Sequence, residues 1–227
     1  MTNGGQPTRV AILGAGGFAR EVLDVYDACN AAGQGPFEVV GFLADGEEVG
    51  RTVNDLTILG GVEWLADHPD VLAICAIGDT GTRRRVVRRA EAAGARFHTV
   101  VHPRATLTRW IEIGRGTVIT AGCILTNQIR IGSHVHLNLD STVGHDCRIE
   151  DFVTVAPGVH VSGNVTLGEG SNIGTGAAII QGLTVGAGSV VGAGAVVTAD
   201  VEADVVAVGV PAKAVKTRSP GWYHEAD

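Results

Sequence analysis

Residues 133–151, SHVHLNLDSTVGHDCRIED, gather the side chains best suited to move protons: His134, His136 and His145, with Asp146 following the last directly. A histidine beside a carboxylate can be held in one tautomer and have its imidazolium stabilised, as a general base near neutral pH requires. The plain alternative is a turn, because Asp146 occupies a place where Asp and Gly make corners. Both readings of the pair stand on the residues alone. His134 and His136 read as solvated corner residues. A metal centre would need three histidines converging across a subunit boundary, and these three occupy different places in their repeats, so no metal is expected. Eighteen residues to either side of His145 stand Asn127 and Gly163. Gly163 leaves room for a ligand and offers its backbone N–H as an oxyanion donor.

The element that must position these groups repeats every six residues from Val101 to Glu202. Its first places include Val101, Leu107, Ile113, Leu125, Leu137, Val143, Val161 and Val197, and all seventeen are aliphatic. Fifth places are small or aliphatic, such as Val135, Cys147, Val165 and Ala195; second and fourth places favour Gly, Asn, Asp, Thr and Ser. A period of six fits neither a helix nor an alternating strand. It marks a solenoid of short strands and tight corners, the hexapeptide β-helix. Gly, Asn and Asp accept the positive φ of a corner. Each buried aliphatic contributes roughly 1.5–3 kcal/mol, and so dense a glycine content costs a helix about 1 kcal/mol per residue.

Ahead of the repeat, TRVAIL (8–13) reads as a buried strand. The glycine-rich turn Gly14, Gly16, Ala19 follows, then a helix with Val22, Val25 and Tyr26 on one face. Such a turn brings backbone close to a phosphate at a helix N-terminus. Strands are expected at 37–43, at VLAICAIG ending on Gly78, and at 96–101, with Asp45 placed for a ribose or base contact. A short helix is expected near 62–67 and a basic one over 83–93, its Arg83–Arg89 run forming a wet face. These elements make a small βαβαβ domain with a parallel sheet. With about four strands and no second mononucleotide half, nucleotide or nucleotide-sugar binding is favoured over dinucleotide redox chemistry. The domain boundaries read as 1–100, 101–205 and 206–227, the last a CoA-proximal segment with Lys213, Lys216 and Arg218 and a polar tail.

The 227 residues carry a net charge of −7. With no basic stripe, nucleic acid is not an expected partner. The N-terminal MTNGGQPTR lacks an apolar signal core and no run reaches membrane-spanning length. Four cysteines without metal-type spacing read as small buried hydrophobes, and the expected location is the cytoplasm.

Taken together, GAGGFAREVLDV, the FLAD and AIGD loops, LNLDSTVGHDCRIED, GNVTLG and VGVPAK resemble a known family over nearly the whole chain. It is that of the bacterial left-handed β-helix acetyltransferases acting on nucleotide-linked amino sugars, with sialic acid O-acetyltransferases as relatives. Left-handed coiling comes from that resemblance alone, since crossovers are normally right-handed. The resemblance implies a homotrimer with acetyl-CoA lying between neighbouring solenoids. It makes His145 the general base, oriented by Asp146, and puts Asn138 in the acceptor site. Gly163, Ala193, Gly194 and Lys213 would hold acetyl-CoA, and Gly14, Gly16, Asp45 and Gly78 the nucleotide. Three positions depart from the pattern: many members have Glu at Asp146, some have His at Phe18, and a second histidine near the acetyl group corresponds to Thr154. With no Ser or Cys placed as a nucleophile, direct transfer to an amine is expected. The competing readings are O-acetylation of a sialic acid or another sugar hydroxyl, and a non-catalytic or metal-binding protein on the same solenoid.

Overall fold

The computed structural model describes residues 6–224. The first five residues, within the stretch read as lacking a signal core, and the last three of the tail lie outside them. In the N-terminal domain, β1 (Thr8–Leu13), α1 (Gly17–Ala31) and β2 (Phe37–Leu43) are followed by β3 (Thr52–Val53) and β4 (Leu56–Gly60). A 3₁₀ turn (Val62–Asp67), β5 (Leu72–Cys75) and α2 (Thr80–Ala92) complete it. The sheet runs β3-β4-β2-β1-β5, parallel except for the β3–β4 hairpin. Alternation along β1 explains the layering. Val10 and Ile12 pack with Val22 and Tyr26 of α1, while Ala11 and Leu13 pack with Val87 and Ala90 of α2.

Two strand expectations change. The β3–β4 hairpin was not foreseen; its strands are short, and its turn sits on Asn54 and Asp55, both with positive φ, as a two-residue hairpin turn requires. The stretch 96–101 is not one strand. Phe97 bridges to Ala73, whereas Val100–Val101 already pair with Val118–Ile119 in the solenoid.

The repeat folds as expected. Two- and three-residue strands stack in parallel at an offset of 18 residues, as in Leu125 on Val143 and Val161 on Ile179. They form three faces. The first runs from Val100–Val101 to Val190–Val191 and ends in Val205–Val208 with the antiparallel strand Lys213–Thr217. The second runs from Thr106–Leu107 to Val196–Val197, and the third from Ile111–Ile113 to Thr184–Val185. First- and fifth-place side chains such as Leu125, Leu137, Val153 and Leu167 fill one continuous core. Corners sit at positive φ, on Asp146 and Asn164 at one edge and on Gly176 and Gly194 at another.

The N-terminal domain lies on the first face, where Val100 and Val118 join the α1 core and Phe152 joins the α2 core. This contact overturns three expectations. Arg83 is not part of a wet helix face but fully buried, and His134 and His136 are buried rather than solvated. The tail is not uniformly polar: Tyr223 is buried against Gly170 and Gly188, and the Trp222 indole donates to the Gly188 carbonyl at 2.8 Å.

Candidate active site

His145 and Asp146 project from the edge between the second and third faces. Repeat register fixes their position: Asp146 N–H donates to Asn127 O at 3.1 Å, and Asn164 N–H donates to His145 O at 2.7 Å. Asp146 adopts φ 61°, which turns its carboxylate back onto the preceding ring. His145 Nδ1 and Asp146 Oδ2 are 2.7 Å apart, and both side chains are about half exposed. Because an ionised carboxylate only accepts, Nδ1 donates to Asp146, and in the neutral ring Nε2 carries the lone pair. The ring lies over Gly163, where an added Cβ would stand 2.6 Å from Nε2. The Gly163 N–H has no hydrogen-bond partner among the described residues. Cys147 points away, its thiol donating to Ser162 O at 3.1 Å and pushed up in pKa chiefly by burial.

The other expected site residues divide among separate places. Asn138 lies on the edge between the first and second faces, its amide donating to Val155 O at 2.8 Å. Ala193 and Gly194 are exposed on that same edge, three coils further on, and Lys213 is exposed on the last strand. Within one chain the second face therefore separates Asn138, Ala193 and Gly194 from His145 and Gly163. Gly14, at φ 102°, lines a cleft of about 220 Å³ at the carboxyl ends of β1 and β2, together with Asp45, Ile77 and Thr82. Gly16 caps α1, and Gly78 follows Ile77 at the same end of the sheet. Asp45 accepts from Arg89 at 2.6 Å.

The histidines do not converge. His136 Nδ1 lies 2.8 Å from the Arg83 guanidinium and its Nε2 lies 2.9 Å from Cys75 O. Arginine can only donate, so His136 is neutral with its hydrogen on Nε2. Burial, and then Arg83, hold its pKa well below the ordinary value. His134 is sandwiched by Phe97 and Phe152 without a hydrogen bond to either ring nitrogen. Burial first, then Arg115 and Arg83, lower its pKa to about 3. Arg83 also donates to Phe152 O at 2.6 Å and to Thr154 Oγ1 at 2.9 Å. Thr154 is therefore engaged beneath α2 on the first face. Phe18 packs its ring against His136, with centroids 4.7 Å apart.

Comparison with known proteins accounts for this architecture. The PglD N-terminal domain matches residues 9–90, and the bacterial transferase hexapeptide (six repeats) matches residues 146–181. GDP-perosamine N-acetyltransferase of Escherichia coli O157:H7 is 34% identical over 157 residues, 69% of this chain and 71% of that protein. The chain belongs to the hexapeptide-repeat sugar acetyltransferases. Its solenoid is the left-handed parallel β-helix of that family. The acetyltransferase domain of PglB from Neisseria gonorrhoeae, solved with acetyl coenzyme A, superposes with a TM-score of 0.84 at 33% identity. That match covers 92% of this chain and all of that one. A histidine-to-asparagine variant of perosamine N-acetyltransferase from Caulobacter crescentus, in complex with CoA and GDP-perosamine, gives 0.85 at 30% identity, covering 91% and 96%.

Arg83 is not distinguishable in the sequence of this acetyltransferase because it is one of five arginines between residues 83 and 89, all on the same helix. Its one usable signal was distance from Asp79, whose side chain caps α2 by accepting from Thr82 N–H. That cap fixes the first turn and points Arg83 inward.

Proposed function

We propose that this acetyltransferase N-acetylates an amino sugar carried on a nucleotide, by direct transfer from acetyl-CoA. The observation that carries the proposal is the His145–Asp146 pair, with the ring and its Nε2 lying directly over Gly163. Nε2 takes a proton from the acceptor amine as its nitrogen attacks the thioester carbon. The Gly163 N–H donates to the developing oxyanion, and Asp146 steadies the imidazolium. Collapse breaks the C–S bond, and the proton held by His145 returns to the CoA sulfur. The nucleotide occupies the cleft lined by Gly14 and Asp45, with Gly16 and Gly78 at its rim. Residues 1–100 serve as the nucleotide-sugar domain, 101–205 as the acyl-transfer domain and 206–227 as the CoA-proximal segment. Complexes of relatives with CoA and GDP-perosamine support this choice over O-acetylation.

The working unit is a homotrimer. The second face presents Thr106, Ile124, Thr142, His160, Ala178 and Val196 outward, whereas the third presents Glu112, Arg130 and Arg148. Turning the less charged second face to a three-fold axis brings the His145 edge of one copy to the Asn138 edge of the next. Acetyl-CoA then lies between copies, along Gly163 of one and Ala193, Gly194 and Lys213 of the other. The enzyme works in the cytoplasm without nucleic acid or membrane; no described helix is long and apolar enough to cross a membrane.

The test is incubation with acetyl-CoA and a panel of UDP-, GDP- and TDP-amino sugars plus free sialic acid. Thiol release is followed and products are read by mass spectrometry. Acetylation of a nucleotide-linked amine supports the proposal; transfer to sialic acid alone overturns it.

A further inference from the structure

Trp110 is the most exposed aromatic side chain of the solenoid, 68% accessible, and it sits on the catalytic edge. Residues 110, 128, 146 and 164 occupy one corner position in successive coils, so Trp110 lies two coils below Asp146. Its φ of 58° is a conformation that costs an ordinary L-residue roughly 1–2 kcal/mol. The same column elsewhere carries Gln128, Asp146 and Asn164, small or polar groups suited to a corner. An aromatic ring held outward at this place contributes nothing to its own core. Arg109 accompanies it, with its guanidinium 6.0 Å from the ring centroid and no carboxylate partner among the described residues.

On the opposite edge, at the same end of the solenoid, a cleft of about 220 Å³ opens between α1 and the corners of the first three coils. Val25, Ala121 and Leu139 supply its apolar wall, and Glu21 and Asp24 form an acidic lip. Leu139 is 41% exposed, and neither carboxylate has an ion-pair partner among the described residues.

We propose that Trp110 of one copy inserts into the α1 cleft of the next, with its Arg109 meeting Glu21 and Asp24. This rests on the trimeric reading above and deepens it, by naming the contact that sets the two halves of the site against each other. Three features carry it. A three-fold axis parallel to the solenoid preserves height, and Trp110 and His102, which lines the cleft, both belong to the first coil. The occupant carries a cation where the cleft carries two carboxylates, and such complementarity selects register and partner. Exposed Trp and Arg together are the residue types that dominate interface energetics once buried. The contact is heterologous, knob on one edge and hole on the other, and under the three-fold rotation it closes a ring. It also places the His145 edge two coils above a fixed point on its neighbour, opposite that neighbour's Asn138.

Sedimentation velocity at micromolar protein tests this with wild type, Trp110→Ala, Arg109→Glu and the charge-swapped pair Arg109→Glu with Asp24→Arg. Circular dichroism checks folding. Wild type is expected to sediment as a trimer. Trp110→Ala dissociates at a concentration at least about tenfold higher, as a folded species. Arg109→Glu weakens assembly, and adding Asp24→Arg restores it. Trimers of wild-type strength in both single variants would overturn the insertion while leaving the trimeric reading intact. A wild type that is monomeric while acetylating would overturn both.

Discussion

The Arg83 guanidinium and the His136 ring meet at 2.8 Å in the contact between α2 and the solenoid, both cut off from solvent. Arg83 has no carboxylate there. Its charge is met by the carbonyls of Ile77 and Phe152, the Thr154 hydroxyl and the His136 lone pair. Burial lowers even the arginine pKa, to about 10. Arg83 therefore fastens the loop before Gly78 to the first face of the solenoid.

Replacing Arg83 with Met strands several buried acceptors, each worth about 1–3 kcal/mol when unpaired. A loss of about 3 kcal/mol or more in chemical denaturation is expected. A loss below about 1 kcal/mol, the scale of exposed pairs, would show that the network does not secure the interface.

Acid sensitivity follows from His134 and His136. Unfolded, each takes up a proton near pH 6.5; folded, His134 resists until about 3 and His136 resists strongly as well. Their contribution is complete above pH 6.5 and drains as the pH falls toward the folded values, by at most about 1.4 kcal/mol per pH unit for each group. His134→Phe keeps a ring between Phe97 and Phe152 and removes one titrating group, while His136 stays beside Arg83. Melting curves between pH 7 and 4 should fall less steeply for this variant; an unchanged slope would exclude His134 as a source.

The solenoid was legible because one physical demand, an inward aliphatic every sixth residue, recurs along it without interruption. The His145–Asp146 pair was legible for a related reason, since register alone puts Gly163 beneath His145. What the sequence hid lies between the domains. His136 and Thr154 occupy outward places, where a β-helix ordinarily meets water, and only the covering by α1 and α2 makes them buried. Arg83 was hidden among identical neighbours, as packing rather than composition decides which arginine turns inward. The β3–β4 hairpin escaped because its strands are too short for alternation to register.

Gly163→Ala places a methyl group where the His145 ring now rests, 2.6 Å from Nε2. The half-exposed ring can swing outward, so the melting temperature should stay unchanged while kcat falls by roughly 100-fold, the scale of ångström-level misplacement. Full activity in a folded Gly163→Ala enzyme would contradict the placement of the base.

Asp146→Asn preserves size but allows an amide N–H to face Nδ1, favouring the tautomer whose Nε2 carries hydrogen. Turnover should drop by at least about tenfold with little change in KM for acetyl-CoA. An equal loss in KM and none in kcat would instead assign Asp146 to donor binding.

The most direct measurement is the rate of CoA thiol release by His145→Ala with acetyl-CoA and the amino sugar that the wild type accepts, alongside its melting temperature. A fall of roughly 10²–10⁴-fold in a protein that melts as the wild type does is the predicted result. Turnover at the wild-type rate would remove His145 from the chemistry and contradict the mechanism at its base.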